Sequence, residues 1–214
     1  MKSLSFDCEH DKALLVKKDV ERDIAICGRS LANNQPSKLA NEGAHDPTAT
    51  FYFVLEALFP FFEFSEESHL LDVGCSTGRV LAYFHEQGFP GRATGVEFDK
   101  DLSAFSQDWT CEFENLQVVS GNVLDLPLNE YTHFYLFNPF DSVILNAFLD
   151  KIKDEVTHNL VLIHMSDNGE SFNYAGREGW HLRAQGVIQN CDDLIAYVCP
   201  QHYSVWDYQP APTI

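Results

Sequence analysis

The chain has 214 residues, 32 of them acidic against 14 basic, and a formal net charge of −18. That length suits one α/β domain with a modest extension, and 45% hydrophobic with 13% aromatic residues excludes a disordered chain. The densest basic cluster, Lys12 with Lys17 and Lys18, is diluted by Asp19, Glu21 and Asp23; this argues against a nucleic acid partner and for a neutral or cationic one.

No apolar run reaches the ~20 residues that span a membrane. Residues 1–7 lack the apolar core of a secretory signal, so a cytoplasmic location is expected. Six cysteines (Cys8, Cys27, Cys75, Cys111, Cys191 and Cys199) form no C-x-x-C pair; reduced thiols and no metal are the expectation.

In chain order, residues 1–46 read as polar and irregular, with weak periodicity over 13–26 and a loop over 33–38. Asp46-Pro47 opens an apolar helix over 48–59, whose Phe51, Tyr52, Phe53 and Phe59 are expected in the core. Strands and helices then alternate: strand 69–73, helix 78–87, strand 93–98, helix 100–108, strand 116–120, strand 132–137, helix 142–153 and strand 159–165. His133, at the start of the fourth of these strands, reads as a surface residue. Near-continuous apolar strands suit a parallel sheet covered on both faces. Two long strands, 180–188 and 194–208, with a turn near 190–193, close an α/β pattern.

The most informative stretch is 70–79, Leu-Leu-Asp-Val-Gly-Cys-Ser-Thr-Gly-Arg. An apolar run ends in Asp72, and a turn of small residues leads into a helical pattern, the strand-loop-helix geometry that nucleotide-like ligands use. A dinucleotide fingerprint needs Gly-x-Gly-x-x-Gly; counting from Gly74, its second and third glycine positions hold Ser76 and Arg79, which argues against a nicotinamide oxidoreductase. Glu97 ends the second strand 19 residues after Gly78, the spacing at which a carboxylate accepts both ribose hydroxyls. The third strand ends at Gly121-Asn122-Val123, the fourth at Phe137-Asn138-Pro139-Phe140-Asp141, and the fifth at His164-Met165-Ser166. An imidazole at His164 is placed to take a proton from an incoming nucleophile.

The segment Asp72-x-Gly74-x-x-x-Gly78 resembles the first motif of the class I S-adenosylmethionine (SAM)-dependent methyltransferases, and the order of strand ends resembles theirs from about residue 47 onward. The resemblance implies a Rossmann-like three-layer α/β/α sandwich, its mostly parallel sheet ending in an antiparallel strand. It implies SAM as cofactor, with Asp72, Gly74, Cys75, Ser76 and Gly78 around the methionine half, Glu97 on the ribose, and Phe98, Asn122 and Val123 about the adenine. Family members often carry an Asp where this chain has Asn122, and an amide oxygen can accept the same hydrogen bond. Asn138-Pro139-Phe140 resembles the Asn/Asp-Pro-Pro-Tyr/Phe motif of amino-directed members, with one proline missing. In that motif side-chain and backbone carbonyls hold a target amine while the aromatic ring stacks on it. Asn138, which also borders the cofactor, and Phe140 are therefore candidate catalytic residues beside His164.

The expected function is methyl transfer to a nitrogen of a small molecule or of a basic protein side chain. Transfer to oxygen with His164 as base, and a non-catalytic module retaining the fold, are the alternatives. Residues 1–46 are expected to form an N-terminal extension that serves as a substrate lid, and residues 47–214 the catalytic domain.

Overall fold

A computed structural model describes residues 4–33 and 36–211. Helices α1 (Leu4–Cys27) and α2 (Tyr52–Leu58) precede strand β1 (His69–Val73). There follow α3 (Arg79–Glu86), β2 (Arg92–Glu97), α4 (Lys100–Thr110), β3 (Leu116–Ser120), β4 (His133–Phe137), α5 (Ser142–Glu155) and β5 (Leu160–Met165). The chain closes with β6 (Trp180–Ile188), the two-residue strands β7 (Asn190–Cys191) and β8 (Leu194–Ile195), and β9 (Gln201–Tyr208).

Seven strands form one sheet in the order β3-β2-β1-β4-β5-β9-β6. β1 to β5 pair in parallel, β9 runs antiparallel to β5, and β6 runs antiparallel to β9. Side chains alternate between two cores, as the period-2 geometry of strands requires. Leu70, Tyr135, Ile163 and Val205 face a layer holding residues of α1 to α4, while Leu71, Phe134, Leu162 and Trp206 face α5. The Rossmann-like three-layer sandwich implied by the strand pattern is thus the observed architecture.

Four local expectations are corrected. The polar stretch near the N-terminus holds a 24-residue helix, α1; several of its inward positions are charged, so hydrophobic periodicity understates it. The helix expected over 48–59 begins only at Tyr52, and the residues before it run as loop. β9 begins at Gln201, after Pro200; of the residues expected to extend it, Leu194–Ile195 pair with Asn190–Cys191 in a separate hairpin and 196–200 carry no strand. His133 is buried rather than at the surface, edge-on to Phe62, and burial drops its pKa to about 4.

What ties α1 to the sheet is a buried ionic cluster around Arg79, the first residue of α3. Its Nε and Nη2 donate to the two carboxylate oxygens of Asp23 at 2.9 and 2.7 Å, and Nη1 donates to Asp19 at 3.2 Å. Asp23 accepts further bonds from the Tyr52 hydroxyl and the Leu31 N–H, both at 2.9 Å, and Asp19 accepts from the Tyr52 N–H at 3.1 Å. Every charge is therefore paired and hydrogen-bonded, the condition under which burial is tolerated. Burial lifts the Asp19 carboxyl to about 6 against the pull of Arg79.

Removing one partner of such a pair leaves an uncompensated buried charge, at a cost of about 3–5 kcal/mol. Asp23→Ala should lose stability of that size in urea denaturation. A loss under about 1 kcal/mol, within the range of exposed ion pairs, would mean that the cluster does not brace the fold.

Candidate active site

The strand order reverses between β1 and β4, and ligands of open α/β sheets sit at the carboxyl ends of strands at such a point. The loop after β1 is held there by its backbone. The N–H groups of Gly74 and Cys75 both donate to the Val96 carbonyl, at 2.9 and 3.1 Å. Gly74, with φ at 73°, also needs to be small, because a Cβ there would lie 2.9 Å from the Cβ of Pro139. The glycine loop thus rests directly against the exit of β4.

Glu97 locks this loop to the next strand end. Its two oxygens accept from the N–H of Ser76 at 2.7 Å and of Asp99 at 2.8 Å. Burial raises its pKa, and the two backbone donors pull the other way. Asp72 lies deeper, 3% exposed, and its Oδ2 has no hydrogen-bond partner. Burial first, and then the neighbouring Glu97, hold the Asp72 carboxyl well above its usual range. An orphaned carboxylate oxygen beside a second acid is a site short of a cation.

A cavity of about 540 Å³ opens over these groups, within the range of small-molecule sites. Asp72, Gly74, Cys75 and Glu97 line its floor, Phe98, Asn122 and Val123 one side, and Phe137, Pro139 and Phe140 another. Asn122 uses its side-chain oxygen to cap the turn that follows, accepting from the Leu124 N–H at 2.9 Å. Residues from Pro36 to Thr50 supply much of the remaining wall. This segment pairs with the β4 exit: the N–H of His45 donates to the Pro139 carbonyl at 3.0 Å, His45 Nδ1 meets the Asn138 carbonyl at 2.8 Å, and Ala44 bridges to Phe140.

Residues 64–168 match the family model described as a methyltransferase domain. The demethylmenaquinone methyltransferase of Staphylococcus epidermidis is 30% identical over 88 residues, which is 41% of this chain and 34% of that protein. That of Staphylococcus aureus is 29% identical over 85 residues, 39% of this chain and 32% of that protein. The matches span about a third of the length of these curated relatives. A crystal structure of an RNA methyltransferase from Salinibacter ruber in complex with S-adenosyl-L-homocysteine (SAH) superposes with a TM-score of 0.56 at 14% identity, covering 78% of this chain and 97% of that one. A structure titled as a complex between the Haloferax volcanii Trm112 methyltransferase activator and a methyltransferase gives 0.58 at 13% identity, over 76% and 91%. At such identities the likeness to the solved structures is one of fold. The family match covers just under half of the chain, and the fold is one shared with SAM-dependent methyltransferases.

The donor set of the cavity fits SAM. The unpartnered Asp72 Oδ2 suits an ammonium group, the second lone pairs of Glu97 suit ribose hydroxyls, and the Phe98 ring, which has no aromatic neighbour among the described residues, offers a face for stacking. Among the described residues no three His, Cys, Asp or Glu side chains are placed to hold a metal ion, and no helix is long and apolar enough to cross a membrane.

Four of the residues singled out in the sequence do not line the cavity. Ser76 and Gly78 act from behind, shaping the loop with φ of 50° and 90°. Asn138 stands at φ 42°, a left-handed conformation that Asn tolerates better than most residues. Its carbonyl turns toward His45, and its amide finds no hydrogen-bond partner among the described residues. His164 is 1% exposed and bonded through Nδ1 to the Tyr174 hydroxyl at 3.0 Å. Burial lowers its pKa to about 4. The geometry therefore seals it away from the cavity, where the sequence places it at a reactive strand end. In the other direction, His45 and the 36–50 wall carry no motif that marks them as part of a site.

Gly74→Val should abolish SAH binding, since the side chain meets both a strained φ and Pro139; retained affinity in a folded variant would show that the loop does not contact the cofactor. Because the ligand's cation selects ionised carboxylates whose pKa is raised, a proton must leave before binding at low pH. SAM affinity should therefore fall as pH is lowered from about 8 toward the raised carboxyl range. Calorimetry in buffers of different ionisation enthalpy should detect the released proton, and Asp72→Asn should reduce it; identical heats in all buffers would contradict this electrostatic picture.

Proposed function

We propose that the chain transfers the methyl group of SAM to a nitrogen of a small molecule or of a basic side chain inserted into the cavity. One observation carries this: Asp72 and Glu97 share a single chamber with Phe137, Pro139 and Phe140 at the exit of β4. In this arrangement Asp72 neutralises the cofactor's ammonium, the bare backbone at Gly74 admits its methionine half, and Glu97 accepts from the ribose. Phe98 packs on the adenine, with Asn122 and Val123 at its rim. Cys75, Ser76 and Gly78 keep the loop in shape. Bound SAM supplies a methyl group on a sulfonium, already a good leaving group, so the protein's task is to position the acceptor and exclude water.

Charge supports an amine acceptor. Asp72, Glu97, Asp99, Glu42 and Asp46 line the chamber, whereas its cations, Lys38 and Arg79, are both engaged by carboxylates. Asn138 stands outside the cavity lining but directly precedes Pro139, which is part of it, so its unengaged amide is the group proposed to accept from a substrate there; Phe140 lines the same wall. One observation favours an oxygen acceptor as a second reading. The Asn138 and Pro139 carbonyls, which would help to cradle an amine, already accept bonds from His45.

The purified protein with SAM and separate panels of amines and hydroxyl compounds should release SAH with an amine, and mass spectrometry should find the methyl on nitrogen. Turnover only with hydroxyl compounds would select the second reading, and SAH binding with no turnover on any acceptor would leave a binding module. Asn138→Gly keeps the left-handed backbone while deleting the amide, so SAH binding should survive and kcat should fall about 100-fold, the scale on which misplacement acts. An unchanged kcat would remove the side chain from the mechanism and leave Asn138 as a backbone-shaping residue.

A further inference from the structure

We infer that His45 is a catalytic base of this site, held with its proton on Nδ1 so that Nε2 takes the proton of the methyl acceptor; the assignment rests on the methyl-transfer reading above. The evidence is geometric. A backbone carbonyl only accepts hydrogen bonds, so the 2.8 Å contact between His45 Nδ1 and the Asn138 oxygen places the proton on Nδ1. In a neutral imidazole the other nitrogen is then a bare lone pair, and Nε2 has no partner among the described residues.

The ring is not a chance visitor to the cavity. The His45 N–H donates to Pro139 at 3.0 Å, the Asp141 N–H donates to Gly43 at 3.1 Å, and Ala44 bridges to Phe140. These bonds fix the loop in antiparallel register along the segment on which the acceptor must dock. Gly43 makes the approach possible: at φ 83°, a Cβ there would lie 2.6 Å from Ile144 Cδ1. His45 also lines a second, more open hollow with Asp46 and Asp141, and the residue is exposed to solvent.

Other ionisable groups of the chamber are committed elsewhere. Asp72 and Glu97 sit at the cofactor end, Asp99 caps α4, Asp101 pairs with Lys38, and Arg79 is held by Asp19 and Asp23. The groups that share a cavity wall with His45 are Glu42 and Asp46 on its own segment and Asp141 at the start of α5, and the buried His164 of β5 lies within electrostatic reach of it.

An amine drawn in as its ammonium ion has no lone pair until it loses a proton. His45 Nε2 takes that proton and becomes imidazolium. The freed lone pair forms the N–C bond as the donor's C–S bond breaks, and the bonding pair stays on sulfur. The imidazolium then returns its proton to water.

The first test needs no acceptor. In histidine-¹⁵N-labelled protein saturated with SAH, the His45 ring, assigned by its loss in His45→Gln, should appear as the Nδ1–H tautomer. An Nε2–H tautomer would overturn the assignment whatever the enzyme methylates. With an accepted amine, His45→Gln should bind SAH within about twofold of wild type. Its single-turnover rate should fall about 100-fold or more, the usual contribution of a positioned base, and the acid limb of the pH–rate profile should disappear. Added imidazole should restore part of the rate to His45→Ala. A wild-type rate and profile in His45→Gln would overturn the assignment. Absence of turnover in the wild type would count against the methyl-transfer reading, while the tautomer still decides the state of His45.

Discussion

The arrangement of the site depends on a buried guanidinium. Arg79, 4% exposed, begins the helix that follows the glycine loop, and its charge is balanced by Asp19 and Asp23 from α1. Because a buried cation is tolerated only when paired and hydrogen-bonded, the first helix cannot leave without exposing or stranding it. Tyr52 closes the cluster through its hydroxyl and its backbone N–H, which fixes where the loop ahead of α2 must run. Asp19, Asp23 and Tyr52 thereby take part in shaping the site.

From that brace the constraints pass outward through short backbone contacts. Thr77 donates to the Leu31 carbonyl, and the Trp109 indole donates to the Thr77 carbonyl at 3.0 Å, so the loop is gripped from α1's exit and from α4. Glu97 then ties the loop to β2, while Gly74 permits its contact with Pro139. The same burial that makes the scaffold rigid leaves Asp72 with an unpartnered oxygen and a raised pKa. A fold that sequesters two acids side by side favours a cationic ligand, because the ligand's charge relieves both desolvation and mutual repulsion. The amine acceptor proposed above would share that physical origin with the fit to SAM.

The parts of this structure legible in the sequence are those where local backbone demands restrict residue choice. The turn after β1 needs positive φ at Gly74 and Gly78, and the apolar strands with their acidic and Asn-Pro ends mark the sheet and its ligand-facing edge. Helix α1 was not legible as a core element, because its inward Asp19 and Asp23 answer a partner 56 to 60 residues away and read as surface charge. His45 was hidden for a related reason, since its contact with Asn138 spans 93 positions and no pattern announces it. His164 misled because a strand terminus looks alike whether its side chain meets solvent or packing. Here its register with Leu136 and Ser204 sets it within the sheet, and its ring packs against Tyr174.

The central claim is that the N-terminal segment and the glycine loop form one cofactor chamber. Hydrogen exchange of the full chain with and without SAH tests it most directly. SAH should slow exchange together at residues 43–50, at the loop 74–78 and at 97–99. Protection confined to the last two segments would make the N-terminal wall a bystander, and no protection anywhere would contradict the cofactor site itself.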